Sequence, residues 1–475
     1  MTSFIKQRFL EVHKKIFPAA IFAAAALSVI FYHSSCRKDR PENKTLSMEH
    51  PALVTDSKEP VVSFITWNED YVTALQSEIP SFEKETGIKV NWQILSEDVV
   101  REKVLIDLAS KTGEYDLVLT DVWILPEQVS FDYLEPLENF IKGDPSFDAK
   151  EWYPVFMEAL TYDKKLYALP TESFGAALVY RKDLFEKFGI SPPKTINEVE
   201  AAAKKLMLDT DGDGKIDIYG AISRGKAGEE PAIVVSGFAF AYGGSWFENG
   251  ASTAKEIRIK KARPVFNSLE FLAGFKKYCD LMRNYGPPGI KDYTWYEIIE
   301  DGKRGKAAMI LNSGFNVGAL DKPSHGLRDK YYAALPPLGP KAYTQEAFVM
   351  GYGINKNSKH KQEAWKFLKF LTGERFMEHV IDDYATSIAI KAHRESEKYR
   401  TMHPYKTEDG RYVLEKNLEM IDWNYMPRLP EYSVIASLLG TATSEVIAGR
   451  KHAKQALDDL NEAVEKLMKQ AGYYD

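Results

Sequence analysis

The chain alternates short apolar runs with stretches in which apolar residues recur every three or four positions. Val61 to Thr66 reads as a buried strand, and Tyr71 to Glu85 carries helical spacing with an interruption expected at Pro80. Val90, Trp92 and Ile94 alternate with polar residues as in a half-buried strand, and Tyr115 to Thr120 is another strand-like run. Further on, Ala364, Phe367, Leu368 and Leu371 fall at i, i+3, i+4, i+7, as do Ala453, Ala456, Leu457 and Leu460, predicting amphipathic helices. Strands alternating with helices predict an α/β architecture with a largely parallel sheet. No internal repeat or low-complexity block interrupts this rhythm.

The first 59 residues follow a different pattern. Lys6, Arg8, Lys14 and Lys15 precede the apolar run Ala19 to Tyr32, broken only by Ser28. Such a run fits the apolar core of an export signal over residues 1–35 and falls short of the roughly 20 residues that span a bilayer. Ser34-Ser35-Cys36 resembles the bacterial lipobox, which implies cleavage before Cys36 and a lipid on its thiol. His33 stands where that motif has an aliphatic residue, so simple secretion and an uncleaved anchor stay open. Residues 36–59, with Arg37, Lys38, Asp39, Arg40, Pro41 and Pro51 and little apolar content, read as a flexible tether.

Composition narrows the function. Over 475 residues, 62 Lys and Arg against 68 Asp and Glu leave a formal charge of −6, without the concentrated positive field that nucleic-acid binding needs. Two cysteines cannot build a disulfide scaffold or a four-thiolate metal site, and Cys279, among apolar neighbours, is expected to be a buried core thiol.

Catalytic signatures are absent: no H-E-x-x-H and no G-x-S-x-G occurs, and Gly220 to Ala227 matches a P-loop only until Ala227 replaces the Ser or Thr that would hold Mg²⁺. Paired acids of a glycosidase are spaced in three dimensions and leave no linear trace. One motif is sharp. Asp209, Asp211, Asp213 and Asp217 occupy positions 1, 3, 5 and 9 of a calcium-type loop with Gly214 at position 6, while position 12 is Gly220 instead of Glu. Two readings stay open: a structural calcium, or a metal-free turn whose Asp side chains bond nearby amides.

Five stretches, in order, carry a resemblance: Tyr115 to Leu137, Tyr167 to Leu206, Ala241 to Gly250, Gly305 to Phe315, and Gly351 to Thr372. The second is the most specific, combining Ala-Leu-Pro, Tyr-x-Lys-Asp-Leu-Phe and Pro-Pro-Lys-Thr. From about Val61 to its C-terminus the chain resembles the maltose-binding-protein-like solute-binding proteins of bacterial ABC importers. The resemblance implies a type II periplasmic-binding-protein fold, in which two α/β lobes joined by crossing segments close on a ligand in the cleft. Lobe one is expected over 60–171 and 338–380, lobe two over 172–337 and 381–475. It implies no catalysis and no required cofactor, a sugar or oligosaccharide as ligand, membrane permease subunits as partners, a monomer, and a place outside the cytoplasm on a lipid anchor. A sensory receptor feeding a membrane kinase, a non-sugar polar solute and an exported carbohydrate-active enzyme are the alternatives.

Sugars show apolar C–H faces and a rim of hydroxyls, so their sites combine aromatic platforms with carboxylates or amides. Ligands of α/β sheets sit beyond the carboxyl ends of strands, which nominates Trp67, Asp121 and Trp123. The resemblance adds Ser173 and Phe174 after the Ala-Leu-Pro strand, with Glu172 beside them, and Phe315 after the Ala-Ala-Met strand. Glu230, Tyr242 and Trp246 near the Gly243-Gly244 turn, and Tyr352 on the return strand, complete the candidates. For the aromatic residues among them, core packing is the competing reading.

Overall fold

The computed structural model describes residues 60–67, 71–313, 320, 327, 329–382, 388–407 and 410–475. The expected export signal, the tether, Cys36 and Phe315 lie outside the described residues. Lys58–Val464 forms one compact unit, and Glu465–Asp475 belongs to another. Among the described residues no helix is long and apolar enough to cross a membrane.

The elements that frame the site begin with β1 (Val61–Thr66), α1 (Tyr71–Thr86), β2 (Lys89–Ile94), α2 (Glu97–Ser110), β3 (Leu117–Asp121), α3 (Leu125–Ser130), β4 (Leu134–Glu135), β5 (Ala168–Phe174) and β6 (Ala176–Arg181). They continue with α4 (Glu230–Ala241), α5 (Leu269–Tyr285), α6 (Trp295–Lys303), β7 (Met309–Ser313), β8 (Tyr331–Ala334), β9 (Phe348–Asn355), α7 (Lys361–Leu371) and α8 (Tyr432–Ile447). A six-stranded sheet has the order β2-β1-β3-β9-β4, with β5 also paired to β9, and a second sheet has the order β8-β6-β7.

The expectation of a largely parallel sheet holds only for the first three strands. β1 runs parallel to β2 and β3, but β9 is antiparallel to β3, β4 and β5, and the second sheet is antiparallel throughout. The reason is the route of the chain. A single residue, Gly175, separates β5 in the first sheet from β6 in the second. The chain then builds the second sheet and returns as β9, whose first residue Phe348 is opposite Phe174, so outgoing and returning crossings lie side by side. This pair of crossings is the hinge between the two lobes.

Pro80 does not interrupt α1, which continues through it to Thr86. Proline deletes one helical hydrogen bond, at about 3 kcal/mol or more, but Leu75, Ile79 and Phe82 are buried on both sides of it while Pro80 faces solvent. The expected helix at Ala364 to Leu371 is α7, with all four periodic residues fully buried. Phe64 of β1 meets Tyr352 of β9 edge-on at 4.8 Å and Phe367 of α7 at 5.6 Å, tying strand to helix. Cys279 is buried in α5, as expected.

Helix α4 is buried along nearly its whole length, against α5 and α8. Gly237 makes room for the crossing segment: a Cβ there would stand 1.7 Å from the Gln345 carbonyl oxygen. The close approach seats α4 against the segment that leads into β9, about two helical turns along from Glu230.

Candidate functional site

Lobe one contributes the carboxyl ends of β1 and β3 and the start of α2. Trp67 follows β1 directly, half-buried on the apolar cluster of Ile65, Val100 and Val104. The Arg101 guanidinium lies 4.8 Å from the Trp67 ring centroid, a cation–π arrangement. Arg101 Nε donates to Glu97 one helical turn earlier at 2.9 Å, and its guanidinium stands 3.9 Å from Asp121. Asp121 is buried, and its carboxylate accepts the backbone N–H of Trp123 at 2.8 Å and of Ile124 at 3.0 Å. It therefore turns the chain out of β3 and holds Arg101 in place. Loss of hydration raises its pKa against the pull of Arg101.

Lobe two contributes the start of α4 and the start of α6. Glu229 is the residue before α4, Glu230 is its first residue, and Pro231 sits in the first turn, where the missing N–H costs nothing. Carboxylates are favoured at that end by the helix dipole. The Thr294 and Glu297 side chains form a capping box that starts α6, so that Trp295 is its first residue. Trp295 donates its backbone N–H to Glu230 at 3.2 Å and its indole N–H to Glu97, across the crevice, at 3.1 Å. Arg224, buried, lies 3.4 Å from Glu346 and 3.9 Å from Glu230.

These groups line a crevice. Glu229 remains exposed, yet loss of hydration pushes its carboxyl up to about 7, with Arg101 opposing and Asp121 and Glu127 adding repulsion. Glu127 is likewise raised to about 7 by loss of hydration, opposed by the Ser433 hydroxyl. Among the groups of this site, the buried Arg224 Nε lacks an acceptor within hydrogen-bond distance.

The structure brings Trp67, Asp121 and Glu230 to this crevice. Trp123 is only 1% exposed, enclosed by Trp423, Tyr425 and Tyr432 at ring separations of 5.5 to 5.9 Å. Trp246 is buried too, near-parallel to Tyr432 and donating its indole N–H to Ser236. Tyr242 ends α4, about 18 Å from Glu230 at 1.5 Å per residue, and is not brought to the crevice. Ser173 is buried, and its backbone carbonyl accepts Arg394 at 2.8 Å; Phe174 stacks on Phe348 at the crossing. Tyr352 is fully buried and donates to Thr66, the residue before Trp67, at 2.7 Å.

Sequence reasoning missed Glu97, Arg101, Arg224, Glu229, Trp295 and Glu346. The Glu97/Arg101 spacing and the Thr294/Glu297 capping box are visible in the sequence, but their convergence is not.

With this geometry in place, comparison with known proteins is informative. The pattern of bacterial extracellular solute-binding proteins matches residues 66–378. The chain belongs to that family. A mannitol-binding protein from Pseudomonas aeruginosa is 24% identical over 412 residues, covering 82% of this chain and 89% of that one. Among solved structures, an ABC transporter solute-binding protein from Agrobacterium radiobacter K84 in complex with ribitol is 26% identical, with a TM-score of 0.75 and coverage of 86% of this chain and 98% of that one. Another from Agrobacterium vitis S4 with bound D-mannitol is also 26% identical, with a TM-score of 0.75, covering 88% of this chain and all of that one. The fold is the two-lobed type II solute-binding fold, and the chain is a solute-binding protein, not an enzyme.

Proposed function

We propose that this chain is the substrate-binding lipoprotein of an ABC importer, exported and anchored through Cys36, and that it captures a polyol or small sugar in the crevice for delivery to membrane permease subunits. The observation that carries this reading is the mix of carboxylates with a buried N–H donor that lacks an acceptor, Arg224 Nε. A hydroxyl both donates and accepts, so a polyhydroxylated solute answers both needs at once. The ligands named for the relatives, mannitol and ribitol, are of this kind.

In this reading Trp67 and Trp295 offer apolar faces, Glu97, Glu229 and Glu230 accept hydroxyls, Arg101 and Arg224 donate, and Asp121 holds Arg101. Trp123, Trp246, Ser173, Phe174, Tyr242 and Tyr352 support the hinge and core around them, and Phe315 enters on the family resemblance alone. A ligand bridging both lobes stabilises the closed state. The Asp209 loop is proposed to hold calcium: the carboxylates of Asp209, Asp211 and Asp217 each bring an oxygen within 4.8 Å of the others, while Asp213 turns to Lys215 at 2.8 Å.

The deciding experiment is a thermal-shift screen of the purified protein against polyols, monosaccharides and oligosaccharides. A ligand at a hundredfold excess over Kd adds about 2.7 kcal/mol, a clear rise in melting temperature. A rise with polyols or small sugars supports the proposal; cooperative melting with no shift anywhere in the panel overturns the ligand class.

A further inference from the structure

We propose that the two lobes are clasped by direct side-chain contacts that need no solute, and that Arg428 is the positioning residue of this clasp, setting how readily the crevice opens. The inference rests on the reading of the crevice as the solute site and adds the step that controls entry to it.

Residues 423–432 are built into lobe two. Arg428 donates its backbone N–H to the Ser252 carbonyl at 2.8 Å and pairs with Thr253, and the Ser252 hydroxyl donates to the Asn424 side chain at 2.9 Å. Tyr432, which begins α8, lies near-parallel to Trp246 at 6.1 Å. From this base the segment reaches lobe one in two places. The rings of Trp423, Tyr425 and Tyr432 enclose Trp123, two residues beyond β3, at 5.5 to 5.9 Å. The Arg428 guanidinium donates to three backbone carbonyls, those of Glu158 at 3.2 Å, Ala159 at 2.7 Å and Thr161 at 3.0 Å.

The carbonyls are well chosen. Glu158 and Ala159 end the short helix Pro154–Ala159, which packs on β5, and carbonyls at a helix C-terminus lack partners within the helix and carry the negative end of its dipole. A guanidinium, with its fixed fork of donors, answers several of them at once. Loss of hydration lowers the Arg428 pKa only to about 10, so it stays charged at neutral pH. Parting the lobes strips these carbonyls of their donor and draws the Trp123 ring from its pocket into water, and both changes cost free energy. The same closure brings Trp295 of lobe two to Glu97 of lobe one at 3.1 Å. A clasp made of protein groups alone favours the closed form whether the crevice is filled or empty. Solute therefore enters, and leaves, through a minor open form whose population Arg428 sets.

Two measurements on the full protein test this. Small-angle X-ray scattering is expected to give wild type the same radius of gyration with and without saturating D-mannitol, and to give ligand-free Arg428→Ala a larger one that mannitol restores. Arg428→Lys, which keeps the charge but not the fork, should fall between them. Stopped-flow tryptophan fluorescence is expected to show mannitol associating severalfold faster with Arg428→Lys than with wild type and dissociating faster still, so that affinity falls, by about tenfold if one charge-assisted contact is lost. Damage to the fold alone does not speed association. A wild type that contracts on binding mannitol overturns the clasp and needs no variant. Folded variants with the wild-type radius and association rate overturn the role of Arg428. If neither mannitol nor any other polyol or sugar binds, the solute reading falls, while the ligand-free radius of Arg428→Ala against wild type still decides the clasp.

Discussion

The Trp295 indole N–H donates to the Glu97 carboxylate at 3.1 Å, across 198 positions of sequence. Glu97 is also the partner of Arg101, and the backbone N–H of Trp295 donates to Glu230, so one tryptophan ties the acids of both walls together. Trp295→Phe keeps an aromatic face and deletes the indole donor. A hydrogen bond to a charged group contributes about 1.5–3 kcal/mol, so ligand affinity is expected to fall about tenfold or more. The bond is made without ligand as well, so the melting temperature of the ligand-free protein should also fall. Calorimetric titration checks this; an unchanged Kd would separate Trp295 from the site.

Trp123 behaves differently. As an exposed platform it would tolerate removal with only binding lost, but its ring is enclosed by Trp423, Tyr425 and Tyr432. Trp123→Ala is therefore expected to cost about 3–5 kcal/mol of folding stability as well as ligand affinity. Urea unfolding measures it, and a loss under about 1 kcal/mol would contradict the enclosure.

These two tryptophans show what the sequence could and could not reveal. The strands β1 and β3 and the helix α7 were legible because burial imposes a period on apolar residues, and the family was legible from ordered local stretches. Trp67, Asp121 and Glu230 were reachable because each lies at an element end. Arg224, Glu346 and Trp295 were not, because each acquires its meaning from a partner brought in by the fold: Glu346 sits 122 positions from the arginine it faces. The antiparallel β9 was hidden for a related reason, since its direction depends on the chain leaving one sheet and returning to it. Periodicity located Trp123 beyond β3 without telling which rings would cover it.

The Asp209 loop offers a direct test of the proposed calcium. Asp209 accepts the backbone N–H groups of Gly212 at 2.7 Å and Gly214 at 2.9 Å, and both glycines have positive φ, so the turn is shaped by the peptide itself. Three carboxylates nonetheless converge, and bringing like charges together is relieved by a cation. EDTA is expected to lower the melting temperature and calcium to restore it, with Asp211→Ala insensitive to both. Identical melting of the wild type with and without EDTA would leave the loop a metal-free turn.

The pH dependence of stability isolates the buried pair behind the crevice. Glu346 is 2% exposed, and loss of hydration pushes its carboxyl from 4.5 up to about 7 even with Arg224 at 3.4 Å. In that window the native protein keeps a proton that the unfolded chain has released, so stability from this group is complete below 4.5 and lost as pH rises through 7. At 1.36 kcal/mol per unit the change amounts to about 3 kcal/mol. Glu346→Gln cannot ionise, and subtracting its unfolding free energy from that of the wild type cancels the contributions of Glu127 and Glu229, which titrate in both. The difference should turn against the wild type by that amount between about pH 4.5 and 7 and become flat above about pH 8. Denaturant unfolding across this range checks it. A difference independent of pH would mean that Arg224 keeps Glu346 ionised throughout, and the buried pair would then be an ordinary ion pair.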